Sequence, residues 1–136
     1  RALIKNKADL DVTSPADGHT ALMTAVDQTH YRFAVELIEA GANVNICNKN
    51  GASALHLATE RGFVEIVSHL IEKGIDLNAK NIDGKTALMM SAETNQYDIT
   101  GLLVNAGADI DIRTPGGLSA LDLATDNGYP QVATII

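Results

Sequence analysis

The sequence predicts an all-α fold, an α-solenoid of stacked helix-turn-helix units with projecting β-hairpin-like turns. Glycines recur every 33 residues, at Gly18, Gly51, Gly84 and Gly117. Each glycine begins a similar stretch, which reads "GHTALMTA", "GASALHLA", "GKTALMMS" and "GLSALDLA". A later stretch recurs as "LIEAGANVN", "LIEKGIDLN" and "LVNAGADID". A fixed period of this length is typical of repeats that stack in one dimension and bury apolar faces against their neighbours.

The first helix of each unit is predicted to begin after a hydroxyl residue. The residues at this position are Thr20, Ser53, Thr86 and Ser119. Each precedes an apolar run, where a side-chain oxygen can accept hydrogen bonds from the free amides of a first helical turn. Ser53 also lies three residues before His56, a spacing that could pair a hydroxyl nucleophile with an imidazole base. The imidazole does not recur in the other units, so we interpret Ser53 as an N-cap.

A second, amphipathic helix follows in each unit. The second unit has Ile66, Val67, Leu70 and Ile71 at helical spacing. The corresponding residues of the neighbouring units are Phe33, Ala34, Leu37 and Ile38, and Ile99, Thr100, Leu103 and Val104. Gly41, Gly74 and Gly107 are predicted to end these helices, because glycine adopts the left-handed conformation that closes a helix.

The corner between the two helices contains glycine in two units, at Gly62 and Gly128, but Thr29 and Asn95 in the others. Asparagine tolerates a left-handed backbone, whereas a β-branched residue adopts it only at a cost in energy. We therefore expect a distorted corner at Thr29.

Polar connectors, such as "ICNKN", are predicted to form the projecting turns. The first connector, from Asp11 to Gly18, is one residue longer and contains Pro15. The predicted organisation is a single domain over 1–136, divided into a partial repeat (1–13), three repeats (14–48, 49–81 and 82–114) and a truncated repeat (115–136). Both ends fall inside a unit, so we expect the chain to be part of a longer protein.

These units resemble the ankyrin repeat. The family pattern "TPLHxA" is similar to "TALMTA", "SALHLA", "TALMMS" and "SALDLA", and its "GADVN" segment to "GANVN", "GIDLN" and "GADID". Alanine replaces the family's proline at Ala21, Ala54, Ala87 and Ala120. The resemblance implies a non-enzymatic protein–protein interaction module, with the partner in a concave groove formed by turn tips and first helices.

Composition narrows the class of partner. A net charge of −7 argues against nucleic acid and anionic membranes, and favours a protein partner with a basic segment. The only cysteine, Cys47, cannot form an internal disulfide, which suits an intracellular location, in cytoplasm or nucleus. A bacterial effector delivered into a host cell would also be in such an intracellular location.

Candidate partner-binding residues lie at positions that vary between units. The tip and turn candidates are His19, Lys49, Asn50, Ile82, Asp83, Lys85 and Leu118. A carboxylate also recurs near the end of each first helix, and we call this set the acidic column: Asp27, Glu60, Glu93 and Asp126. The column could recruit Lys or Arg of a partner, with Arg61 partly neutralising it, or it could be a solvated face copied by repeat duplication.

No catalytic residue, cofactor, metal ion or small-molecule substrate is expected. The four histidines occupy different repeat positions, and the glycines form no phosphate-binding loop. Two alternatives stay open: a recognition arm of a larger enzyme or secreted bacterial effector, with its catalytic domain outside this sequence, and a structural spacer. Asn45 and Asn78 resemble ankyrin positions that an intracellular asparaginyl hydroxylase modifies.

Overall fold

The computed structural model describes residues 12–136. The stretch "LIKNKADLD" of the predicted partial repeat lies outside the described residues. Residues 12–136 form eight helices and no strand, which confirms the all-α prediction. The helices are α1 (Ala21–Asp27), α2 (Tyr31–Glu39), α3 (Ala54–Arg61), α4 (Val64–Glu72), α5 (Ala87–Glu93), α6 (Tyr97–Asn105), α7 (Ala120–Asp126) and α8 (Pro130–Ile135).

The helices form two layers. The first helices of the units, α1, α3, α5 and α7, pack side by side in chain order, and so do the second helices, α2, α4, α6 and α8. Within each unit the first helix also packs against the second. Helices this short are marginal alone, so their stability depends on burial against neighbouring units.

Hydroxyl caps begin the first helices as predicted. The side-chain oxygens of Thr20, Thr86 and Ser119 accept hydrogen bonds from the amides three residues on, at 3.2, 3.3 and 3.2 Å. Ser53 is the N-cap of α3 and forms a capping box with His56, although its hydroxyl lacks the standard bond geometry of the other three.

The residue three positions after the N-cap completes the cap in α3, α5 and α7. His56 Nδ1 accepts a hydrogen bond from the Ser53 amide at 3.1 Å, and Asp122 Oδ2 accepts one from the Ser119 amide at 3.0 Å. Such reciprocal bonds satisfy amides that a helix start leaves free. His56 and Asp122 therefore both supply a hydrogen-bond acceptor. Comparing the sequences of the units did not reveal this common role.

Glycines end the second helices. Gly41, Gly74 and Gly107 have φ values of 95°, 79° and 95°. At the end of α2, the amide of Ala42 donates to the Leu37 carbonyl at 3.1 Å, and that of Gly41 to Ile38 at 3.2 Å. This bond pair is the Schellman motif, which satisfies the last carbonyls of a helix.

The corner at Thr29 is not distorted, so that prediction was wrong. Thr29 has a φ of 60°, as Asn95 does, close to the 75° of Gly62. The next amide makes the same bond in each corner: His30 donates to Ala25 at 2.8 Å and Phe63 to Ala58 at 2.9 Å. The packed helices α1 and α2 fix the shape of the corner. Thr29 therefore adopts a strained left-handed backbone, and the corner is not distorted.

The predicted apolar positions form the core between the layers. Ala34, Leu37, Ile38, Ile66, Val67, Leu70, Ile99 and Leu103 are all at most 1% exposed. Two polar residues of this core are paired with each other: the Thr100 hydroxyl lies 2.8 Å from that of Ser91, which donates to the Leu88 carbonyl at 2.8 Å. Buried polar groups are tolerated when they are bonded in this way.

The connectors form hairpin-like turns without strands in the described range. In the second, the Asn48 amide donates to the Ala52 carbonyl at 2.9 Å. In the first, the Ser14 amide donates to His19 at 2.8 Å, so that turn encloses one more residue, as its length predicted.

Backbone bonds join neighbouring turn tips. The Lys49 amide donates to the Asp17 carbonyl at 3.0 Å, and the Ile82 amide donates to Asn50 at 2.8 Å. Pro115 occupies the equivalent place in the fourth turn and has no N–H to donate. Its ring packs against Gly84, where an added Cβ would lie 2.6 Å from Pro115 Cδ.

Candidate protein-binding groove

An open groove of about 530 Å³ lies between the turn tips and the first helices. It brings together nine of the candidate residues: His19, Asp27, Asn50, Glu60, Arg61, Ile82, Asp83, Lys85 and Glu93. They come from the first three complete turns and from α1, α3 and α5. Candidate binding residues that are distant in sequence therefore share one surface.

Lys49, Leu118 and Asp126 do not line this groove. The Lys49 ammonium donates to the Pro15 carbonyl at 2.6 Å, so this side chain ties the second tip to the first. Leu118 is 37% exposed on the fourth turn, and Asp126 is exposed at the end of α7.

The acidic column is positioned by equivalent helix ends. Asp27, Glu93 and Asp126 are the last residues of α1, α5 and α7, and Glu60 is the last but one of α3. These helices pack in sequence, so the four carboxylates follow one edge of the first layer.

Two of these carboxylates are paired within the chain. Arg61 Nη2 lies 3.3 Å from Asp27 Oδ1 in the preceding unit, and Lys85 Nζ lies 2.8 Å from Glu93 Oε1. His19 Nδ1 also lies 3.6 Å from Asp27. Among the described residues, Glu60 has no ion-pair partner. The groove thus contains both neutralised and free carboxylates.

The floor of the groove contains His56, which is 1% exposed. Its Nε2 lies 3.1 Å from the Lys85 carbonyl oxygen, which can only accept, so we assign the proton to Nε2. Nδ1 lies 3.2 Å from Ser53 Oγ, but its lone pair already accepts from the Ser53 amide. Burial lowers the pKa of His56, which keeps the imidazole neutral.

The Ser53–His56 pair therefore serves the fold. A general base for Ser53 would need a free lone pair on Nδ1, and a substrate would need access to a hydroxyl that is 2% exposed. Neither condition is met. The imidazole instead joins the start of α3 to the backbone of the next turn.

Sequence reasoning missed several residues of the groove lining, among them Asn48, Asn81, Leu57 and Met90. Asn48 Oδ1 accepts from the amides of Asn50 and Ala52 at 2.8 and 3.0 Å, and Asn81 makes the equivalent bonds in the next turn. A polar residue at the same place in every turn was the available signal, since an Asx side chain can fix a turn in this way.

The groove lining does not include Cys47, Asn45 or Asn78. Cys47 is exposed, with Sγ 3.8 Å from the Asn45 carbonyl. The side-chain oxygens of Asn45 and Asn78 accept from the amides of Asp76 and Asp109, at 2.8 and 2.9 Å. In residues 12–136 no three His, Cys, Asp or Glu side chains are grouped to hold a metal ion, and no helix could cross a membrane.

Comparison with known families gives two overlapping matches. A family model described as ankyrin repeats (3 copies) matches residues 1–81. A second, described as ankyrin repeats (many copies), matches residues 70–124. None of the curated proteins matches the chain.

Proposed function

Because the chain belongs to the ankyrin repeat family, we propose that it is a non-enzymatic module that binds a partner protein in the groove. Ankyrin repeats are generally protein–protein interaction modules, and ankyrin repeat proteins are typically non-catalytic. The observation that supports this proposal is the convergence of nine candidate binding residues on one open surface. Core positions are fixed by packing, so the identity of the partner depends on these residues.

The charge of the groove favours a partner with basic residues. Four carboxylates line it against one arginine and one lysine, and the whole chain has a net charge of −7. Complementary charge raises the rate of encounter and makes binding sensitive to salt. Nucleic acid and anionic membranes would be repelled by the same field.

We place this interaction inside cells. The thiol of Cys47 is free and exposed, and a reducing compartment preserves such a group.

The proposal can be tested by affinity capture from an extract of the source cells. The column variant, in which E60Q is combined with D126N, neutralises two exposed acids of the acidic column, one of which (Glu60) lines the groove, and leaves the Asp27–Arg61 and Glu93–Lys85 pairs intact. The control variant combines E72Q with D98N, two exposed acids on α4 and α6 outside the groove. Both variants change the net charge equally, and circular dichroism checks their folding.

We expect wild type and control to capture the same proteins, and the column variant to retain less of them at low salt. The loss should shrink as salt rises, because exposed charge pairs are screened. Capture that is equal in all three proteins would show that the partner does not use the column. A specific turnover by the chain that disappears in S53A would contradict its non-enzymatic character.

A further inference from the structure

The third turn presents an apolar side chain to the groove. Ile82 is 72% exposed, more than any other large hydrophobic residue in the described range. Its backbone is nevertheless fixed, since its amide donates to the Asn50 carbonyl of the preceding tip at 2.8 Å. Removing an aliphatic side chain from water is favourable, so a partner that covers Ile82 would bind more tightly.

The same groove contains negative charge that is not paired within the described residues. Glu60 and Asp83 line the groove and have no ion-pair partner among the described residues. Arg61 and Lys85, in contrast, are engaged by Asp27 and Glu93. A single basic side chain of a partner can therefore be neutralised in the groove, whose own two cations are already paired.

The third turn also contains a free backbone acceptor. The carbonyl of Asn50 accepts from the next tip, but the equivalent carbonyl of Asp83 faces a turn whose corresponding residue, Pro115, has no N–H. No donor in residues 12–136 bonds to the Asp83 carbonyl. It is available to an N–H group of a bound segment, and this observation is independent of the side-chain charges.

We infer that the groove recognises a segment with one isolated Lys or Arg beside an aliphatic side chain. The cation binds between Glu60 and Asp83, and the aliphatic group packs on Ile82. This inference rests on the proposed function and narrows its partner. A continuous basic run fits less well, because its additional charges would approach Arg61 and Lys85, and like charges in contact are unfavourable.

The test uses a display library of random short peptides selected on the immobilised chain. Selected peptides are then titrated by fluorescence anisotropy against wild type and three folded variants. The centre variant combines E60Q with D83N, the tip variant is I82S, and the control is E72Q with D98N. All substituted side chains are exposed, so folding should be preserved.

We expect enrichment of an isolated basic residue next to Val, Leu or Ile. The centre and tip variants should each weaken binding by about tenfold, as expected for one charge-assisted contact or one covered aliphatic group. The control should match wild type. A peptide in which the basic residue is replaced by norleucine should lose affinity for wild type but not for the centre variant.

The other outcomes separate this inference from the proposed function. Selected peptides without the basic–aliphatic pair, but weakened by the centre variant, would overturn the inference and leave groove binding intact. Peptides that bind all four proteins equally would overturn both, because their site would lie outside the groove. A selection that enriches nothing would overturn the inference, which requires a short segment to suffice.

Discussion

His56 and Thr59 lie less than one turn apart on α3, and both are buried polar residues with different hydrogen bonding. His56 bonds to the Ser53 amide and to the Lys85 carbonyl. The hydroxyl of Thr59, which is 0% exposed, has no hydrogen-bond partner within residues 12–136. A buried polar group stabilises a fold only when it is satisfied, so the two residues should respond in opposite ways to apolar replacement.

Stability should fall as the pH is lowered below the ordinary pKa of His56, 6.5. The unfolded chain takes up a proton there, whereas the folded chain, in which burial lowers the pKa, does so only at lower pH. The unfolded state therefore binds more protons in that interval, and the free energy of unfolding decreases as the pH is lowered. Urea denaturation at a series of pH values from neutral to about 5 measures this slope.

The variant H56M is the matched control, because Met23 and Met89 occupy the same repeat position and are buried. It should be less stable at neutral pH by about 1–3 kcal/mol, since the Lys85 carbonyl loses its donor. Its stability should depend less on pH between neutral and about 5 than that of wild type. Asp17 and Asp122, whose pKa values are lowered by backbone amides, titrate below this range. An unchanged slope in H56M would contradict the burial argument.

Replacing Thr59 with valine should stabilise the protein by about 1 kcal/mol, because the unpaired hydroxyl becomes a methyl group of similar size. Val26 already occupies the same repeat position and is 0% exposed. The control is T125V, at the same position in α7 but exposed, which should change stability by less than about 0.5 kcal/mol. Thermal unfolding of both variants checks the difference, and a destabilised T59V would indicate a hidden partner for the hydroxyl.

At the level of the helical elements, most of the fold could be predicted from the sequence. The hydroxyl caps, the helix-ending glycines and the apolar positions are local signals, and each recurs in several units, so one copy supports another. The corner at Thr29 shows the limit of this reasoning. The backbone preference of a β-branched residue predicted a distorted corner. The packed helices on either side nevertheless impose the left-handed backbone on Thr29.

Substituting glycine for Thr29 should therefore stabilise the protein by about 1 kcal/mol, because glycine adopts a φ of 60° without strain. Part of the gain is offset by the greater entropy of glycine in the unfolded chain. The variant N95G is the comparison and should gain less, since asparagine tolerates this conformation. Chemical denaturation measures both, and a less stable T29G would show that the threonine side chain contributes a contact that outweighs the strain.

At the scale of the whole molecule, each unit is stabilised by its contacts with the neighbouring units. Each layer is continuous only through contacts between adjacent helices. Leu70 is 0% exposed in α4, a second helix with a neighbour on both sides. The variant L70A should cost about 2–5 kcal/mol, because it leaves a cavity between layers that cannot collapse freely.

Hydrogen exchange distinguishes a local from a transmitted effect of L70A. Amides of α2 and α6, in the two adjacent units, should exchange faster together with those of α4. The variant V132A, in α8, is the control and should accelerate exchange mainly in the fourth unit, where Val132 is buried. Acceleration confined to α4 in L70A would contradict stacking as the source of stability.

The composition of the groove was only partly predictable at this scale. The repeat period identified which positions share a surface, since equivalent positions of stacked units lie side by side. The pairing of charges was not predictable, because Arg61 could have joined Glu60 beside it and instead reaches Asp27 of the preceding unit. Such choices depend on side-chain geometry across units. Sequence neighbours do not define that geometry.

The bonds that join the turn tips have a consequence for how binding specificity can change. Lys49 and Ile82 hold the rim together through backbone amides, which every residue except proline provides. Most replacements of the Ile82 or Asp83 side chains would alter what a partner meets while the rim keeps its shape. Recognition and architecture are thus specified by different atoms of the same residues. The groove can acquire a new preference through single substitutions that leave the scaffold intact.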